Sequence, residues 1–227
     1  MSFNEFVKSL SNDKEEGELL KTIVISLVTS FSLLAILYFL SLRYIENFIP
    51  KYGFYSFFAI LSYALIIPSV KYVRAYKEFA CMSGMMIGMT IGMIAGFLPG
   101  YYIGATNGML VGSVFGMGIG ISFGIWNGRC CGIMGIMEGV MAGFMGGLMG
   151  AMTAVMMIND NLQLAGIIVF LISGFIIFGL NYMVYKETRE MEIKHRDDVF
   201  FTIMLSIFLT SITLVISVLG PRSVLFQ

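Results

Sequence analysis

Charge is scarce in this chain. Of its 227 residues only 12% are charged, about half the share of an ordinary soluble domain. The 14 basic and 14 acidic residues cancel, and the basic ones are scattered among acids, so no nucleic-acid partner is expected. Histidine occurs once, at His195, in a segment of mixed charge where a solvated surface side chain is expected. There is no HExxH, no GxSxG and no P-loop ending in Lys–Ser/Thr, and each of those chemistries needs its full constellation. The sequence therefore reads as a non-enzyme with no required cofactor. Cysteine is also rare: Cys81, Cys130 and Cys131 make no disulfide framework, because a bridge between chain neighbours is strained.

What the chain has in excess is apolar surface. Hydrophobic residues make up 58% and the mean hydropathy is +0.87, more than one soluble core can hide, so lipid must cover the remainder. Seven runs approach the roughly 20 apolar residues that a span needs: Thr22–Leu42, Gly53–Val70, Met82–Leu98, Tyr102–Ile125, Cys130–Ile158, Leu162–Tyr185 and Val199–Leu219. Each must be a helix, since backbone amides in hydrocarbon find partners only within their own segment. The expected fold is an all-α integral membrane protein of about seven transmembrane helices. Residues 1–21 form a polar tail, 22–80 two spans, 81–158 a Gly/Met-rich three-helix core, and 159–227 two spans joined by the charged connection 186–198.

Glu5, Lys8, Asp13, Lys14, Glu15 and Glu16 precede the first long apolar run. No cleavable signal fits that pattern, and the first span is expected to remain as an anchor. Only Phe97–Tyr101 separates the third run from the fourth, so a re-entrant pair is an alternative there. Pro68 and Pro99 are expected to kink or end their helices. Seven spans put eleven basic residues on the side of the N-terminal tail and only three (Arg43, Lys51 and Arg222) on the other. Positive residues favour the cytoplasm, which predicts the cell membrane, with the N-terminus cytoplasmic and the C-terminus outside.

Glycine supplies the strongest pattern. It recurs at every fourth position from Gly84 to Gly132, then again at Gly135, Gly139, Gly143 and Gly147. Apolar helices gain nothing from hiding apolar surface from lipid, so they associate by close van der Waals contact, which glycine ridges permit. Spans three to five are thus expected to form a central glycine-zipper bundle. Whether the zipper also closes a homo-oligomer or lines a conduit is not legible in it.

Methionine supplies the second pattern. Thirteen of the 19 methionines lie in spans three and five. In span five, Met134, Met137, Met141, Met145, Met149, Met152 and Met156 fall within about 120° of arc, opposite the glycines. Cys130, Cys131 and Glu138 share that face. Met85, Met89 and Met93, with Met82 and Met86, form a matching face on span three, so two methionine-lined helices are available to converge on one lumen. The bland reading is packing, because methionine fills irregular gaps beside glycine. The functional reading is soft-metal handling, because thioethers and thiolates select Cu(I), a carboxyl within a span is usually functional, and Arg129 favours thiolates at Cys130 and Cys131.

Met85-x-x-x-Met89 beside GxxxG is similar to the motif pairing of Ctr-type copper importers, although their three-span subunits and Met-rich extracellular tails have no counterpart here. The Cys130–Cys131 pair resembles the vicinal pair of mercury-transport proteins, without their other cysteines. Each resemblance covers a few residues and implies a soft-metal substrate. The candidate metal set is Cys130, Cys131, Met134, Met137, Glu138, Met141, Met145, Met85, Met89 and Met93. The expected function is a transporter or channel for a soft ion, Cu(I) first. The alternatives are a membrane scaffold or assembly subunit and a pore for another small ion. The expected partners are the bilayer and either further copies of the chain or another membrane protein. Asn107 and Asn127 are expected to bond across helices, Asp160 to lie in the turn between spans five and six, and the other four spans to wrap the core with a lipid-facing surface.

Overall fold

The computed structural model describes residues 15–40, 53–74, 81–129, 132–188 and 199–220. Among them the chain is all helix, with no strand. The elements are α1 (Glu15–Leu40), α2 (Phe54–Arg74), α3 (Cys81–Asn107), α4 (Met109–Gly128), α5 (Gly132–Met156), α6 (Leu162–Thr188) and α7 (Val199–Leu219). Six of these, α2 to α7, are long and apolar enough to cross a membrane, and α1 contributes the shorter apolar stretch Lys21–Ile36. This is a multi-pass membrane protein.

The third helix is longer than expected. Pro99 lies inside α3 and does not end it, since neighbouring helices can satisfy the carbonyl that a proline frees in a span. The break comes instead at Gly108, whose φ of 96° and ψ of 174° suit glycine and little else. One residue thus turns α3 into α4, and both are full-length helices rather than re-entrant halves. Pro68 is likewise inside α2. Asp160 is exposed in the short turn between α5 and α6, as expected.

The seven helices form two halves that share α3. One face of α3 is the glycine row, which packs on α4 and α5. Another carries Ile87, Ile91, Ile94, Leu98, Tyr101 and Tyr102, buried in a core with Tyr63, Ile66, Ile67 and Val70 of α2. Around α2 stand α1, α6 and α7. The expectation that α2 is lipid-facing wrapping fails, since 72% of its apolar window is buried within the chain. Its small residues Ser56, Ala59, Ser62, Ala64 and Ser69 are all buried, and small side chains let several helices approach one. The expectation holds better for α6, with only 17% of its window buried.

Hydroxyl and amide groups tie this outer half together. The Thr29 and Ser206 hydroxyls of α1 and α7 lie 3.1 Å apart. Asn181 of α6 donates to Ser69 of α2 at 3.1 Å. The Tyr101 and Tyr102 hydroxyls of α3 donate to Leu162 O and Gly166 O of α6 at 2.8 and 3.2 Å. Asn107 donates its side-chain amide to Ile216 O of α7 at 2.8 Å and accepts from Thr106 at 2.7 Å. Asn107 therefore bonds across helices as expected, but from the end of α3. The side-chain amide of Asn127 donates within its own helix, to Phe123 O at 2.9 Å.

Candidate functional site

The glycines of α3, α4 and α5 meet around one axis in layers. Gly88 lies against Gly128 and Gly135, and Gly92 against Gly124 and Gly139. Gly96, Gly120 and Gly143 form the middle layer, followed by Gly100, Gly116 and Gly147, and then by Gly104, Gly112 and Ala151. A methyl added at Gly120 would sit 2.8 Å from Gly96 Cα and 2.9 Å from Gly143 Cα. Backbone therefore touches backbone, and no lumen runs along this axis. α3 and α5 run parallel and α4 antiparallel to both, and each of the three helices touches the other two.

Packing by glycine sends the bulky side chains outward. Every buried residue of α5 is Gly or Ala: Gly135, Gly139, Ala142, Gly143, Gly146, Gly147, Gly150, Ala151 and Ala154. Its seven stripe methionines, from Met134 to Met156, are 43–68% exposed. Glu138 is exposed on the same face. The reason is that α5 packs on α3 and α4, and both contacts fall on its glycine–alanine arc.

On α3, Met82, Met86 and Met89 are exposed, and Met85 and Met93 are part-buried. Gly146 and Gly150 of α5 rest on the backbone of Met93 and Phe97. Met93 shares the azimuth of Met82, Met86 and Met89 at 100° per residue, and Met145 adjoins Gly146. The exposed methionines of both rows lie on the outer surface of the bundle and not around an internal channel.

Of the candidate ligands, Met134, Met137, Glu138, Met141 and Met145 share one exposed face of α5, and Met85, Met89 and Met93 lie on α3. Cys130 and Cys131 lie outside the described residues, as do the side chain of Cys81 and all of His195. Among the described residues no three His, Cys, Asp or Glu side chains could hold a metal together.

Comparison with protein families, curated proteins and solved structures returns no match. The chemistry must be read from the residues themselves.

One arrangement escaped the sequence reading. The Arg74 guanidinium at the end of α2 lies 4.5 Å from the centre of the Trp126 ring on α4, and Phe201 of α7 meets the same ring edge-on at 5.3 Å. The available signal was Trp126 as the sole tryptophan near a span end, where such rings anchor at the interface. Nothing in sequence spacing joins it to residues 52 positions before and 75 after.

Proposed function

We propose that the chain is a membrane-embedded handler of a soft metal ion, a transporter or channel with Cu(I) the first choice, whose path is completed between copies of the chain. One observation carries this reading: α5 presents seven methionines and Glu138 on a face that no other helix among the described residues covers. Glu138 stands about 9 Å along α5 from its first residue at 1.5 Å per residue, inside a helix apolar enough to span. A carboxylate facing lipid at that depth is costly and calls for a partner or a counter-ion. Thioethers on either side of it offer soft donors of the kind Cu(I) prefers. Facing rows from two copies would enclose the carboxylate and double the donor set.

The second reading is a scaffold, favoured by the closed glycine axis, which leaves no route through a single chain along α3, α4 and α5. One experiment separates the two. Cu(I) binding is measured on detergent-purified protein by competition with a chromogenic chelator under reducing conditions. Wild type is compared with Met137→Leu/Met141→Leu and with Glu138→Gln. Met→Leu exchanges of this kind usually cost under about 1.5 kcal/mol, so the variants should fold. Stoichiometric binding that both variants lose supports metal handling. No binding by folded wild type removes it and leaves the scaffold.

A further inference from the structure

A second feature lies on the other side of the bundle. Between α4 and α7 runs a cleft of about 420 Å³, lined on α4 by Val114, Gly118, Ser122 and Trp126 and on α7 by Leu205 and Phe208. Its walls are almost wholly apolar, and the Ser122 hydroxyl is turned to its own helix, donating to Gly118 O at 2.7 Å. Gly118 has open space where a side chain would stand. Val114 and Phe208 are exposed, so the cleft opens sideways into the bilayer. From Val114 to Trp126 it follows α4 for about 18 Å at 1.5 Å per residue, close to the ~15 Å depth of one hydrocarbon leaflet.

The two ends of the cleft differ in chemistry. The Val114 end is apolar. At the other, Trp126 meets both Phe201 and Arg74, and Arg129 follows one turn later, exposed at the end of α4. An indole at this level belongs to the headgroup interface, and the two guanidinium groups put positive charge where a lipid phosphate would lie.

We infer that the α4–α7 cleft is a binding site for an anionic phospholipid, with one acyl chain along Gly118 and Ser122 and the headgroup at Arg74 and Arg129. The lipid fills a gap that the protein's own side chains leave open. It also bridges α7 to the glycine bundle at a place where α4 and α7 do not pack closely. The site is separate from the methionine face and does not depend on its reading.

Trp126 is the only tryptophan, so its fluorescence reports the cleft directly. The full chain is reconstituted in phosphatidylcholine bilayers containing a small mole fraction of chain-brominated phosphatidylglycerol or, separately, chain-brominated phosphatidylcholine. Bromine quenches indole on contact. The expected result is half-maximal quenching at a mole fraction of the anionic lipid at least about 5-fold lower than of the zwitterionic one, from about 1 kcal/mol per engaged arginine. Gly118→Leu fills the cleft and should abolish that selectivity. Arg129→Gln, at an exposed position, should reduce it several-fold with the fold intact, and it decides the matter if Gly118→Leu does not fold. Equal quenching by the two lipids, or selectivity unchanged in Arg129→Gln, overturns the proposal.

Discussion

The two halves of this molecule hold their helices together by different means. Around α3, α4 and α5 the contact is backbone on backbone, with Gly96, Gly120 and Gly143 in one layer. Around α2 the contact is side chain on side chain, through Tyr63, Ile67 and Val70 and through hydroxyl and amide bonds such as Asn181 to Ser69. In lipid both replace the hydrophobic drive that water supplies to soluble folds. They leave opposite surfaces. At the centre of the side-chain half α2 buries most of its large residues, while its neighbour α6 turns Leu171 and Phe175 outward. The glycine half has no room for them and presents them outward, as the methionines of α5 show. A chemically distinctive outer face is therefore a direct result of packing by glycine.

The comparison breaks most sharply at a single glycine. Gly120→Leu should destroy the bundle, at more than the ~1–3 kcal/mol of ordinary overpacking, because the obstructing atoms are the backbones of Gly96 and Gly143 and not mobile side chains. The measurement is monodisperse elution and thermal melting in detergent, with Gly179→Leu on α6 as the matched control. Gly179 has nothing within 4 Å of an added methyl, so that variant should elute and melt like wild type.

The turn between α3 and α4, inside the glycine half, is the next weakest point. Gly108→Ala forces a Cβ onto a residue at φ 96°, and a strained backbone of this kind costs about 1–3 kcal/mol. A fall in melting temperature without loss of the fold is expected.

In the side-chain half, single contacts should count for less. Asn107→Ala removes the bond to Ile216 O and should cost about 0.6 kcal/mol, the average for interhelical hydrogen bonds in membranes, and no more than their maximum of about 1.7 kcal/mol. Tyr102→Phe loses the 3.2 Å bond to Gly166 O and should cost near that average, about 0.6 kcal/mol. Equal losses for Gly120→Leu and Tyr102→Phe in a melting assay would erase the distinction between the halves.

Much of the fold was legible in the residues. Seven apolar runs mark the seven helices, because hydrocarbon permits no other backbone solution. The glycine period marks α3, α4 and α5 as mutual partners, and the methionine period marks a face opposite the glycines. The end of α3 was not legible, because Pro99 is a stronger break signal in sequence than Gly108 and only neighbouring helices make it tolerable. Nor was the burial of α2, whose hydropathy resembles that of a lipid-facing span: in a bilayer, buried and exposed apolar residues look alike.

The sequence by itself determined which segments are helices and which face of each could come close to another, since both follow from periodicity and side-chain size. Only the tertiary structure decided what lies on the other side of each face. It placed backbone where a lumen was open to consideration, put Glu138 and the methionines on the outside, and brought Arg74 and Phe201 to Trp126. The physical reason is that helix association in lipid is chosen by shape and by a few polar contacts. Those depend on which distant segments arrive together, and hydropathy along the chain does not carry that information.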